Sequence, residues 1–178
     1  MRENAARVKD FVLQTGGIAM NTAWIDSPIG RLTLAQEGEA LLAVRLAAEG
    51  EGLEACATPL LREAERQLLA YFSGALRSFD LPLAPQGSAF DQAVWRALCD
   101  IPYGEVRSYG EIAAAVGRAK ASRAVGGACS RNPLLIVVPC HRVVGASGRL
   151  TGFAAGMSAK RALLALEGWR VARERIDR

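Results

Sequence analysis

The segment SYGEIAAAVGRAKASRAVGGACS, residues 108–130, contains the signals for two short helices. Ser108 and Glu111 are three residues apart, which is the spacing of a capping box, so we expect a helix over 109–116. A glycine ends this helix, and a short basic turn leads to a second helix over 122–130. Two short helices joined in this way predict a helix-turn-helix.

The second of these helices begins with small residues around one arginine. Ser122, Arg123 and Ala124 form its first turn, and Gly126 and Gly127 follow. Small side chains let a helix backbone approach another surface closely, and Arg123 would point at that surface. An ordinary helical hairpin with a surface arginine has the same pattern, so both interpretations stay open on the helix pair alone.

The rest of the second half predicts two more helices and one buried segment. Ser88 is expected to cap a helix, and Ser158 to cap a last helix that ends at residue 166. The apolar residues 134–138 predict a buried strand or extended segment that Pro139 closes.

The first half predicts a different architecture. Short apolar runs at 22–25, 32–35 and 41–46 are separated by turn signals, which favours an antiparallel meander. Residues 59–72 have the spacing of an amphipathic helix. A proline-rich linker follows at 81–87.

These patterns define the fold class and the domains. We expect an α+β protein, with a small amino-terminal antiparallel β-sheet and helix followed by a mostly helical domain with a winged helix-turn-helix. The domains are a leader at 1–20 containing a short helix at 5–13, an α/β domain at 21–85 and a helical domain at 86–178.

Composition excludes several classes of protein. The chain has 178 residues, of which 51% are hydrophobic and 22% charged, as in globular proteins. No apolar run is long enough to span a bilayer, and the start of the chain lacks a secretion signal, so we expect a cytoplasmic protein, or a nuclear one if its source has a nucleus. Four scattered cysteines and a single histidine predict free thiols without a metal site.

The charge is distributed unevenly. Residues 1–85 carry 8 basic and 11 acidic side chains, a net −3, whereas residues 86–178 carry 14 and 7, a net +7. A basic second half favours a polyanionic partner such as nucleic acid, although a solvated basic surface would also explain it.

Cys140 and His141 follow Pro139, which closes the buried apolar segment. A cysteine at the end of a rigid element, beside a histidine, is a candidate nucleophile, although buried cysteines are more often inert. In an extended chain the two side chains would point to opposite faces, so we expect a water to relay the proton between them. Glu167 is the candidate acceptor that orients the imidazole.

The sequence IVVPCHRVV at 136–144 resembles the active-site signature of the O6-alkylguanine-DNA alkyltransferases. Further motifs resemble other parts of the same family over about residues 22–170. They are Ser27-Pro28-Ile29-Gly30, Ile101-Pro102-Tyr103-Gly104, Ser108-Tyr109-Gly110-Glu111-Ile112-Ala113, Ser122-Arg123-Ala124-Val125-Gly126 and Arg131-Asn132-Pro133.

The resemblance implies a role for each catalytic residue. Cys140 would take the alkyl group irreversibly from O6 of guanine, and O4-alkylthymine is a second expected substrate. His141 would deprotonate Cys140 through water, and Glu167 would orient His141. Tyr109 would donate a proton to the departing guanine, and Asn132 would brace the turn around the site.

The resemblance also implies how damaged DNA is bound. The helix-turn-helix would lie in the minor groove of double-stranded DNA, with Arg123 filling the gap that the flipped base leaves. No cofactor is needed, and we expect a monomer. The implied DNA-binding residues are Ser122, Arg123, Ala124, Gly126, Gly127 and Arg131, and the implied substrate pocket comprises Tyr109, Val143, Phe153, Ala154 and Ala155.

One segment departs from the family pattern. Phe153-Ala154-Ala155-Gly156 stands where the family more usually has Tyr-Ala-Gly-Gly or Tyr-Ser-Gly-Gly. The methyl group of Ala155 predicts a poorer fit for bulky adducts. The alternatives are a non-catalytic binder of alkylated DNA, whose family lacks the cysteine, and a cysteine hydrolase, which would turn over repeatedly.

Overall fold

The structure is a computed structural model that describes residues 11–15, 18–48, 58–172 and 174–177. The chain divides into two compact units, Met1–Ala84 and Pro85–Arg178. Each unit has its own hydrophobic core.

The first unit is a four-stranded antiparallel sheet and one helix. The strands are β1 (Phe11–Thr15), β2 (Ile18–Ile25), β3 (Leu32–Glu37) and β4 (Ala40–Leu46), paired in sequence order, and the helix is α1 (Pro59–Phe72). The predicted meander and the predicted helix at 59–72 are confirmed.

The predicted helix at 5–13 is wrong where the structure describes it. Phe11–Thr15 is a strand that pairs with the first residues of β2, from Phe11 opposite Thr22 to Thr15 opposite Ile18. Pairing with a neighbouring strand satisfies the backbone groups that a short isolated helix would leave to water. Residues 1–10, where the rest of that prediction falls, lie outside the described residues.

The second unit is mostly helical. Its helices are α2 (Ala89–Cys99), α3 (Tyr109–Ala115), α4 (Ser122–Ser130) and α5 (Gly156–Leu166). Ser88 and Ser108 each form a capping box at the start of α2 and α3. The α+β fold and the helix-turn-helix of α3 and α4 are therefore confirmed.

Short strands complete the second unit. β5 (Arg107–Ser108) pairs in parallel with β6 (Val143–Val144), and β7 (Arg170–Ala172) forms a hairpin with β8 (Arg175–Asp177). The sequence did not predict this hairpin. It packs through Ile176 on a cluster that includes Val144, Leu150 and Leu164.

Two local predictions about the second unit are wrong. Ser158 does not cap α5, which begins at Gly156 after a cap residue without a side-chain hydrogen bond. Residues 134–138 are not a strand but a tight turn, in which the amide of Val138 donates to the carbonyl of Leu134 and Ile136 has φ +73°. Cys140–Arg142 then forms a short 3-10 helix.

None of the described helices is long and apolar enough to cross a membrane.

Candidate active site and nucleic-acid interface

Cys140 lies at the start of the 3-10 helix and is only 2% exposed. The side-chain amide of Asn132 donates a hydrogen bond to its Sγ at 3.2 Å and another to the carbonyl of Val138 at 2.8 Å. The amide oxygen of Asn132 accepts from the backbone of Leu134 at 3.0 Å. One buried side chain thus holds the turn and the sulfur in fixed positions.

Burial raises the pKa of the Cys140 thiol, against the opposing effects of the Asn132 hydrogen bond and the positive charge of Lys160. A thiol with a raised pKa is protonated at neutral pH. The resting sulfur is therefore a thiol, and a nearby base is required to make it a nucleophile.

His141 and Glu167 form that basic pair. Nε2 of His141 lies 2.9 Å from Oε1 of Glu167, and the guanidinium of Arg142 donates to both oxygens of the same carboxylate at 2.9–3.2 Å. Gly104 donates a backbone hydrogen bond to Oε2 at 3.1 Å, and Arg142 also donates to the carbonyl of Ile101 at 2.6 Å. The carboxylate is buried but saturated with donors.

The charges of this pair follow from its surroundings. Burial would raise the pKa of Glu167, but hydrogen bonds and charges from His141 and Arg142 outweigh it and lower that pKa to about 2. Burial lowers the pKa of His141, so the imidazole is neutral at neutral pH. An ionised carboxylate can only accept, so Nε2 carries the proton and Nδ1 is the basic nitrogen.

Tyr109 lies at the start of α3, at the edge of a groove. Its hydroxyl oxygen accepts a hydrogen bond from Oγ1 of Thr151 at 3.0 Å. Burial is the main cause that raises the pKa of Tyr109. The phenol is therefore protonated at neutral pH, and its own hydrogen is directed away from Thr151.

The groove itself has a volume of about 440 Å³. It lies between α4 and the loop that carries Thr151, and Arg123 at its rim is exposed. The lining residues are Tyr109, Ser122, Arg123, Gly126, Ser130, Thr151 and Gly152.

The other predicted pocket residues take different positions. Val143 is fully buried. The ring of Phe153 meets the imidazole of His141 edge-on, with the ring centres 6.4 Å apart. Ala154 is exposed, and Ala155, the residue before α5, is half-buried.

Of the remaining residues predicted to bind DNA, one is exposed to solvent and another contacts a neighbouring helix. Ala124 is exposed on α4. The guanidinium of Arg131 is instead hydrogen-bonded to Asp91 of α2 at 2.6 Å. A Cβ added at Gly127 would lie 3.2 Å from that guanidinium.

Lys160 is a residue that the sequence analysis missed. It is fully buried in α5, where its amine donates to the carbonyls of Val143 at 2.6 Å and Thr151 at 3.2 Å. Burial lowers its pKa to about 8, against the effects of Cys140 and Cys129, which raise it. The signal that could have found it is a lysine on the apolar face of an amphipathic helix.

No group of three or more His, Cys, Asp or Glu side chains that could hold a metal ion occurs within the described ranges.

Two family models match the sequence of this chain. The DNA binding domain of 6-O-methylguanine DNA methyltransferase matches residues 89–169, and the ribonuclease-like domain of the same protein matches residues 20–85. The chain belongs to this methyltransferase family. The family and the enzyme class expected from the sequence are thereby confirmed.

Two similar proteins from different organisms support this membership of the methyltransferase family. A methylated-DNA–protein-cysteine methyltransferase of Methanosarcina acetivorans is 51% identical over 154 residues, covering 84% of this chain and 99% of its own. The protein of the same name from Mycobacterium bovis is 52% identical over 147 residues, covering 80% of this chain and 89% of its own.

Solved structures of a methyltransferase from Mycobacterium tuberculosis have the same fold. The crystal structure of its O6-methylguanine methyltransferase has a TM-score of 0.75 and 49% identity, covering 83% of this chain and 92% of its own. A crystal structure of the protein from the same organism in complex with DNA has a TM-score of 0.75 and 50% identity, covering 83% of this chain and 91% of its own.

Proposed function

We propose that this protein repairs DNA by moving an alkyl group from O6 of guanine to Sγ of Cys140, which keeps it. The observation that carries the proposal is the hydrogen bond from Asn132 to this sulfur, in a segment that also holds the buried His141–Glu167 pair. In the reaction the S–C bond forms while the C–O6 bond breaks, and the electron pair of that bond stays on guanine O6. The thioether product is stable, so each molecule reacts once.

His141 acts as the general base in this proposal. Its Nε2–H is bonded to Glu167, so Nδ1 receives the proton of Cys140, through one water. The imidazolium that forms is stabilised by the carboxylate of Glu167, which remains ionised because its pKa is about 2. Arg142 holds that carboxylate in place and does not take part in the proton transfer.

Tyr109 assists the leaving guanine. Its hydroxyl accepts from Thr151, which leaves the phenolic hydrogen available for a substrate atom in the groove. Protonating the base as the C–O6 bond breaks neutralises the charge that the electron pair brings to guanine.

The burial of Cys140 supports a reaction in which the substrate base leaves the duplex. A base within the stack cannot reach a sulfur that is 2% exposed, and extruding it costs a few kcal/mol. Arg123, exposed at the rim of the groove, fills the space that the base leaves and offsets part of this cost.

The small residues of α4 support binding in the minor groove. Ala124 and Gly126 leave room for the helix to enter the minor groove, with Ser122 beside Arg123 at its first turn. Phosphate contacts from the basic second half give affinity that does not depend on sequence, as a search for damage requires. The protein acts as a monomer in the cytoplasm without a cofactor, and O4-alkylthymine is a second substrate.

The test is the mass of the intact protein after incubation with a duplex containing one O6-methylguanine. We expect one methyl group per molecule even with excess DNA, mapped to Cys140 and absent from Cys140→Ala. The matched control is Cys99→Ala, which removes an exposed free thiol and should still accept one methyl group.

Three outcomes would overturn the proposal. DNA binding without a mass change indicates a non-catalytic binder of alkylated DNA. Repeated turnover of an ester or amide indicates a cysteine hydrolase. A methyl group on Cys99 indicates that the buried thiol is not the acceptor.

A further inference from the structure

Arg131 and Asp91 form an ion pair between the end of α4 and the start of α2. Nη2 of Arg131 donates to Oδ1 of Asp91 at 2.6 Å and Nε donates to Oδ2 at 3.3 Å. Asp91 also accepts from the hydroxyl of Ser88 at 2.8 Å and from its amide at 3.3 Å, as part of the capping box of α2. The same carboxylate therefore caps α2 and holds α4.

The ion pair is the second of two polar links between these helices. The indole of Trp95, one turn after Asp91, donates to the carbonyl of Ala128 at 2.9 Å. Ala128 and Arg131 are three residues apart, so both links leave the same side of α4. Gly126 and Ser130, which line the groove, lie on a different face of α4. The links therefore fix how α4 presents its groove face without occupying that face.

Gly127 leaves the path of Arg131 open. A Cβ at this position would lie 3.2 Å from Nη1 and 3.8 Å from Nη2 of Arg131. The absence of a side chain at Gly127 thus has a cause within the protein, beside the close approach to DNA expected from the sequence.

The two partners of this ion pair differ strongly in burial. The side chain of Asp91 is 6% exposed whereas that of Arg131 is 59% exposed. A buried carboxylate depends on its cation, because an unpaired buried charge is costly. The hydrogen bond from Arg131 is the main cause that lowers the pKa of Asp91, which keeps it ionised.

We propose that Arg131 is a positioning residue, which acts through Asp91 to set the orientation of α4 on damaged DNA, and not a direct phosphate contact. This inference rests on the proposed function, because it concerns how the groove face meets the duplex. It reassigns Arg131 and Gly127, both expected from the sequence to bind DNA, to the connection between α4 and α2.

The experiment compares Asp91→Asn, Arg131→Gln and the double variant in the full chain. Removing a carboxylate from a DNA-binding protein would tighten binding if charge alone mattered. The proposal predicts the opposite sign: Asp91→Asn and Arg131→Gln each slow methyl transfer from duplex DNA by about tenfold, and the double variant is no slower than either. Reaction with free O6-methylguanine base should change much less, because no helix has to be oriented on DNA.

Salt dependence and stability provide the controls. The slope of log K against log salt should stay unchanged in Arg131→Gln, whereas loss of a phosphate contact lowers it by about 1. Arg96→Gln removes an exposed positive charge from α2 and controls for net charge. Ser88→Ala removes the cap but keeps the ion pair, so it separates loss of helix stability from loss of α4 orientation.

The outcomes distinguish the proposals. Tighter DNA binding by Asp91→Asn, a reduced salt slope in Arg131→Gln, or additive effects in the double variant would overturn the positioning role. Failure of the unchanged protein to gain a methyl group on Cys140 would overturn the proposed function instead.

Discussion

Oε1 of Glu167 lies 2.9 Å from both Nε2 of His141 and Nη2 of Arg142. The carboxylate is shared between a neutral imidazole and a permanent cation, and its side chain has no solvent-accessible surface. The hydrogen bonds with His141 and Arg142 together keep the carboxylate ionised, and the ionised carboxylate fixes the proton of His141 on Nε2. Glu167, which follows α5, thereby determines which nitrogen of His141 in the 3-10 helix is basic.

We expect Glu167→Gln to unfold more easily and to lose most methyl transfer. The amide leaves the buried charge of Arg142 uncompensated, which costs about 3–5 kcal/mol of unfolding free energy. Urea denaturation and the rate of methyl transfer measure the two effects. Glu105→Gln, which breaks an exposed pair with Arg107, is the control and should change both values little. Unchanged unfolding of Glu167→Gln would contradict the shared role of this carboxylate.

Stability should fall as the pH is lowered below 6.5 because of His141. Burial lowers its pKa below the ordinary imidazole value of about 6.5, so below this pH the unfolded chain binds a proton that the folded chain does not. The unfolding free energy then decreases as the pH falls. Urea denaturation at pH values on either side of 6.5 measures this slope. His141→Gln cannot titrate, so a slope of the same size in that variant would refute the explanation.

Lys160→Met should slow methyl transfer about tenfold, equivalent to about 1.4 kcal/mol of barrier. The substitution removes a positive charge that lowers the pKa of Cys140, and it frees the Thr151 carbonyl at the groove. The pH profile of the rate at which iodoacetamide modifies Cys140 should shift to higher pH, because the thiolate forms less readily. Arg161→Met, at the exposed next position, is the control. A shift to lower pH would show that Lys160 does not stabilise the thiolate.

Arg123→Ala should separate repair of duplex DNA from reaction with a free base. Extrusion of the base costs a few kcal/mol, so we expect methyl transfer from duplex DNA to slow by about a hundredfold. The rate with free O6-alkylguanine base, used as O6-methylguanine, should change little, because no base has to be extruded. Equal losses on both substrates would argue against the proposed insertion of this side chain.

Ala155→Gly should widen the range of adducts. Ala155 is half-buried, is the residue before α5, and follows Phe153, whose ring meets His141, by two positions in the chain. Loss of its methyl group should raise the benzyl-to-methyl ratio of transfer rates severalfold. Ala146→Gly, in an exposed turn, is the control. A ratio that Ala155→Gly leaves unchanged would mean that this methyl group does not limit adduct size.

Local signals predicted the secondary structure well where they were complete. The serine caps of α2 and α3 depend on a residue three positions away, and the structure contains both capping boxes. The strand prediction for residues 134–138 was wrong because it rested on their apolar side chains alone. In the structure the side chain of Asn132 forms hydrogen bonds with the backbone of Leu134 and Val138, which hold the segment in a turn. Hydrogen bonds from a single side chain to the backbone do not change the periodicity of apolar residues in the sequence, so the sequence pattern could not reveal this turn.

The sequence by itself determined where α1, α2, α3 and α4 begin, and it identified Cys140 and His141 as candidates for the chemistry, because caps, strand alternation and the Cys140–His141 pair act between near neighbours. The tertiary structure alone decided the long-range partners. Lys160 came to lie against the Val143 carbonyl, and Arg131 paired with Asp91, 40 residues away. Such pairs depend on how the helices pack, since a buried charge is tolerated only where packing brings its partner within hydrogen-bonding distance.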